Sequence, residues 1–425
     1  MASQKPIPPA EKTKPTGSRR LQMEEGSVMK ISDPVKERGS RRMRSIFLPL
    51  LALVLALVLW PSPGTAGGMF SGLSDFFHGT KSIARVKAEF DLSPYGASVL
   101  DWSPDGKFLA VSGILNPYVK VFDVRSKKRV MTLRKLAGGS HGLAYSPDGR
   151  YLAAGQAFTQ WLQGVSVMIW DAKSGALVKS LRGPFAPDKP ANSVTYLAFS
   201  PDGRYLAVGY MGDVQHPRDN IYLYDTRTWL PLRSFGTNEH IDGGLLFSPD
   251  GRHLAHGTME GDIRIWDVAS GRLVRVIKAY SNEAYNKRSN AKRSNDVESL
   301  VYSPDGKQIV TGTDTGSEYG HLNEATGEFV TGKNNEQVKV WGVDGALVRT
   351  VGGFTTPVAA LTFSHDGKYL VTGSDKKVKV WDTRSWRVLE TFTISDAPMS
   401  AEFSPDNKYL AVGSGVIATV WEFRK

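Results

Sequence analysis

Residues 197–209 read LAFSPDGRYLAVG, and closely similar words recur along most of the chain. On either side of SPDG, apolar and polar residues alternate. Successive side chains of a strand face opposite sides of a sheet, so the alternation predicts two half-buried strands. Between them Pro201 presets its own φ, Asp202 hydrogen-bonds nearby backbone, and Gly203 takes the positive φ that other residues resist. The word is a tight hairpin.

Seven such hairpins begin at Ser103, Ser146, Ser200, Ser248, Ser303, Ser364 and Ser404, spaced by 40 to 61 residues. That spacing suits a repeated unit of about 40 residues carrying insertions. Downstream of each lies a third apolar word with an aromatic near its end: VKVFD, VMIWD, IYLYD, IRIWD, VKVWG, VKVWD and ATVWE. A fourth follows a short turn, as in SGALVKSL and SGRLVRVI. The unit is a four-stranded antiparallel blade, and seven of them make an all-β ring.

With Trp-Asp pairs at Trp170, Trp266 and Trp381 beside the SPDG-like turns, residues 83–425 resemble the WD-repeat family of β-propellers. The resemblance implies a seven-bladed β-propeller. The chain departs from the family in lacking a Gly-His pair before the first strand of each unit. Only Asp375, six residues before Trp381, keeps an acidic position that the family uses. An incomplete buried hydrogen-bond network is therefore implied. The seventh unit ends at VWEFRK without a fourth strand, whereas IARVKAEF, residues 83–90, precedes the first hairpin without a blade of its own. Pairing of the two would close the ring and remove an exposed sheet edge.

The 425 residues are 41% hydrophobic and hold no cysteine, which excludes disulfides. Residues 1–45 carry eleven Lys or Arg against five Asp or Glu and many prolines, and read as a disordered basic tail. Next comes IFLPLLALVLALVLW, residues 46–60. Fifteen helical residues extend about 22 Å, short of the roughly 30 Å hydrocarbon layer. However, no charge occurs from Ser45 to Ser74. Residues 46–66 are thus either a transmembrane signal-anchor or a signal peptide cleaved near Ala66. As an anchor, the segment keeps the basic tail cytoplasmic and places the propeller across the membrane, periplasmic in a bacterium. After cleavage the propeller is secreted or periplasmic. Residues 67–82 read as a linker.

Connections between antiparallel strands alternate between the two ends of a ring. The SPDG turns and the turns between third and fourth strands share one end and are short. The long connections, 155–164, 182–193, 209–220, 278–299 and 313–337, all fall at the other end and belong to blades two to five. Loops on a rigid scaffold are where binding most often resides. The candidate partner-binding residues are Trp161, His216, Arg218, Tyr285, Lys287, Arg288, Tyr319 and His321. Lys287 and Arg288 sit in NKRSNAKRSN, which reads as a solvated charged loop or as a contact for an acidic partner, an anionic lipid headgroup or nucleic acid. The insertion GSEYGHLNEATGEFVTG reads as an extra hairpin turning at NEATGE.

No HExxH or other close ligand spacing links the eight histidines, and the repeated serines serve turns rather than catalysis. No cofactor or metal is called for. A propeller-type hydrolase or lactonase would need acids or a metal in the central channel. The words expected to approach it, those of the second strands, are small and apolar, with His256 the one ionisable residue. The expectation is a non-catalytic scaffold for other proteins, or alternatively a structural subunit of a larger membrane complex. Neither nucleic acid nor a small-molecule substrate is expected.

Overall fold

The computed structural model describes residues 82–113, 116–134, 136, 138–156, 165–183, 193–210, 220–236, 241–280, 296–313, 321–322, 329–330, 336–354 and 356–424. Among them are seven four-stranded antiparallel sheets and one two-stranded hairpin. Blade one pairs Val99–Trp102, Phe108–Ser112, Val119–Asp123 and Lys128–Leu133 in chain order, and blades two to six repeat the order. Blade seven takes Pro398–Phe403, Tyr409–Ser414 and Ile417–Phe423, and its fourth strand is Ala84–Asp91. That strand runs antiparallel to Ile417–Phe423, with Ala84 opposite Phe423 and Asp91 opposite Ile417. Arg85 donates to Glu422 at 3.0 Å beside it.

The hairpins owe their shape to local hydrogen bonds. In blade two the Ser146 hydroxyl donates to Asp148 Oδ1 at 2.6 Å and accepts from the Tyr151 N–H at 2.8 Å. Asp148 Oδ1 also accepts from the Arg150 N–H at 3.0 Å, and the Gly149 N–H donates to the Ser146 carbonyl at 2.8 Å. Gly149 holds φ of +70°, where a Cβ is disfavoured. Each turn residue thus has a mechanical reason.

Among the described residues the buried apolar side chains form seven clusters, each set between two neighbouring blades. Trp170 of blade two packs on Val121 and Leu133 of blade one. Trp266 packs on Leu223 and Phe235 of blade three, and Trp381 on Val340 and Val351 of blade five. In blades one to six the ladder between third and fourth strands shifts register at this aromatic, as between Ile169 and Trp170. Such a bulge sharpens the twist that fans the blades. Truncating one of these buried rings to Ala costs about 3–5 kcal/mol.

The axis is lined differently from the sequence expectation. The first strands of the blades touch one another around the ring, and the second strands stand one place further out. A first strand joins its sheet along one edge only, so its other edge faces the axis. His256, on the second strand His253–Thr258, is accordingly fully buried and not in the channel.

Candidate functional site

The five long connections leave from strand ends at one end of the ring: after Gln156, Arg182, Tyr210, Lys278 and Thr313. Trp161, His216, Arg218, Tyr285, Lys287, Arg288 and Tyr319 lie outside the described residues, as do residues 1–81 with the apolar segment 46–66. His321 begins a short strand, His321–Leu322, paired with Phe329–Val330 across NEATGE. The inserted hairpin is therefore formed. Among the described residues no helix is long and apolar enough to cross a membrane.

What frames this end is a recurrent joint. In blade five Lys339 Nζ donates to the Ala279 carbonyl at 3.1 Å and stands 4.7 Å from the Tyr280 ring. In blade six Lys379 Nζ donates to the Gly353 carbonyl at 3.1 Å, 4.9 Å from the Phe354 ring. In blade one Lys120 Nζ reaches the Leu92 carbonyl at 3.4 Å. Each cation lies on a third strand and holds the segment that follows the preceding blade's fourth strand. Burial pulls the Lys120 and Lys379 ammonium groups below the usual lysine range, with neighbouring cations Arg129 and Lys377 adding to it.

Under the aromatic of the third strand the network is partial, as the departures from the family pattern implied. Trp381 Nε1 donates to Thr372 Oγ1 at 2.9 Å, and Trp341 Nε1 to Thr311 Oγ1 at 3.3 Å. In blade four the threonine position is His256, whose ring stacks on Trp266 at 6.4 Å. Neither His256 Nε2 nor Trp266 Nε1 has a partner among the described residues. Burial pushes the His256 imidazole down to about 4, the Gly257 carbonyl opposes this, and the Arg264 guanidinium adds to it.

At the axis the sequence reading missed a carboxyl pair. Glu402 Oε2 accepts from the Trp102 N–H at 3.2 Å, and Trp102 Nε1 donates to the Glu402 carbonyl at 3.2 Å. Asp101 in turn accepts from the Tyr145 N–H of blade two. The two carboxyl groups stand close enough to act on each other's protonation. Burial drives both upward, Asp101 to about 6 and Glu402 further, because the Asp101 charge stands beside it. The signal was in the repeats: two residues before the hairpin serine the other blades have Ala144, Ala198, Leu246, Val301 and Thr362.

Two cavities open at the tight-turn end, of 810 Å³ between blades one and two and 590 Å³ between blades four and five. Of their five carboxylates, Asp105, Asp148, Asp250 and Asp305 already accept from the hairpin serines, and Asp123 accepts from the Ser126 N–H. They are gaps between successive turns, not convergent sites. Among the described residues no group of three or more His, Cys, Asp or Glu could hold a metal ion.

The family described as WD domain, G-beta repeat matches residues 175–213, 231–267 and 345–382. Each match joins one blade's fourth strand to the next blade's inner strands, so the sequence repeat is offset by one strand from the blade. The chain is 27% identical over 53% of its length to the WD repeat-containing protein slp1 of Schizosaccharomyces pombe, covering 39% of that protein. It is 26% identical over 46% of its length to the WD repeat-containing protein sll1491 of Synechocystis, covering 48% of it. The chain thus spans less than half the length of either relative. In fold it is similar to the β-propeller domain of Cps50 (Swd1) from Myceliophteria thermophila, with a TM-score of 0.60 over 80% of this chain and all of that one, at 13% identity. The observed ring is thus a seven-bladed β-propeller, three of whose repeats match the WD-repeat family model and whose sequence is similar to WD repeat-containing proteins.

Proposed function

We propose that the protein is a non-catalytic interaction platform that presents the loops of blades two to five to protein partners, held at a membrane by residues 46–60. The observation that carries the reading is the asymmetry of the ring's ends. One end is closed by short turns with their own hydrogen bonds, and the other bears all five long connections. A rigid frame lowers the ordering cost of binding. The acids that meet at the axis, Asp101 and Glu402, already accept backbone hydrogen bonds, which argues against a hydrolytic pair.

The test is cross-linked affinity purification from solubilised membranes. The intact chain is compared with one whose residues 281–295 are replaced by a short Gly-Ser link. Partners recovered with the first and lost with the second support the reading; equal recovery removes that loop from it, and no partner with either removes the platform. Intact mass of the native protein tests the anchor, which a mature chain beginning at Gly67 would eliminate.

A further inference from the structure

The joint between blades seven and one is made twice. Outside, Ala84–Asp91 pairs with Ile417–Phe423. Inside, Glu402 of the last blade reaches Trp102 of the first, and Asp101 beside it reaches Tyr145 of the second. The inner contacts form one line of carboxyl groups across three blades. At every other inner strand the same position is Ala, Leu, Val or Thr. At this position an acid thus stands only on the two inner strands that meet at the ring's junction.

We propose that Asp101 and Glu402 share a proton and so form an acid-operated clasp that tightens the junction of the ring. Two carboxylates this close repel unless one is protonated. Protonated, Glu402 donates to Asp101 while its other oxygen accepts from the Trp102 N–H. Asp101 then keeps its charge for the Tyr145 N–H. Deprotonated, Glu402 has no hydrogen to offer, and the repulsion falls on the contact that joins the two chain ends.

Among the described residues no Lys or Arg is ion-paired with either carboxyl group. Blade two's inner strand presents His141 and Tyr145, the latter pushed up by burial and then by Asp101 and Asp105. Lys107 of blade one's hairpin is 2.9 Å from Asp105, and Lys408 of blade seven's is 3.5 Å from Glu422. Both raised carboxyl groups give the same sign: their contribution is present at acid pH and is lost as pH rises through their folded-state values.

The experiment follows thermal unfolding of the full chain in detergent between about pH 5 and about pH 9, for wild type, Glu402→Gln and Asp101→Asn. Glutamine keeps a donor for Asp101 and an acceptor for Trp102 but does not titrate. The wild-type midpoint should fall with rising pH relative to Glu402→Gln. Infrared spectroscopy of the wild type alone should retain the carbonyl band of a neutral carboxylic acid at neutral pH, and Glu402→Gln should lack it. Parallel pH profiles for wild type and Glu402→Gln, or no such band in the wild type, would overturn the clasp.

Discussion

The side-chain carbonyl of Asn407 accepts a hydrogen bond of 2.6 Å from the backbone N–H of His365 in the neighbouring blade. At the other six hairpins the glycine faces the proline of the preceding turn, Pro Cδ lying 3.5–3.9 Å from where a Cβ would stand. Blade seven has Asn407 for that glycine, at φ of +57°, and blade six has His365 for that proline. Proline has no N–H to give, so the two exceptions complement each other. His365→Pro should cost about 1 kcal/mol, and adding Asn407→Gly should abolish the cost. A double-mutant cycle by chemical denaturation measures the coupling, and additive effects would contradict it.

His256 makes the fold acid-sensitive. Its value falls from about 6.5 in an unfolded chain to about 4 in the buried site, so the unfolded state takes the proton first. Stability is intact above the unfolded value and declines by up to about 3 kcal/mol as pH falls through this window. The clasp at Glu402 acts in the opposite direction. His256→Thr should flatten the acid limb, read as the difference in urea midpoint between about pH 7 and about pH 4.

Thr372→Val keeps the shape of the side chain and leaves the buried Trp381 indole N–H without its acceptor. A loss of about 1–2 kcal/mol is expected in denaturant titration. The same change in an exposed threonine, Thr391, should be near neutral.

The closing strand buries Phe90, stacked on Phe122 at 4.3 Å. Phe90→Ala should cost about 3–5 kcal/mol. Deleting residues 82–91 should do more, because it strips Ile417–Phe423 of its partner and leaves an open edge. Loss of cooperative unfolding and rising light scattering would register it.

The blades were legible because hairpin chemistry is local: Ser146, Asp148 and Gly149 satisfy one another within five residues. So was the packing of Trp170, Trp266 and Trp381 between blades, which large apolar rings at a fixed place in each repeat demand. The channel lining was misassigned because small, apolar second-strand words such as LAVGY suit any crowded layer. Only the ring's geometry separates the innermost strand from the one behind it. Asp101 and Glu402 were readable as exceptions to the repeat, but their meeting depends on strands some 300 residues apart, a separation no local pattern reports.

The closing strand also imposes an order on synthesis. Arg85 leaves the ribosome well before Glu422, its partner 337 positions away, so the fourth strand of the last blade waits unpaired while the other six are made. Contacts that distant are slow to form. Until they do, the nascent chain exposes two strand edges open to the wrong partner. A chaperone acting on this protein should therefore engage its beginning early and release it late.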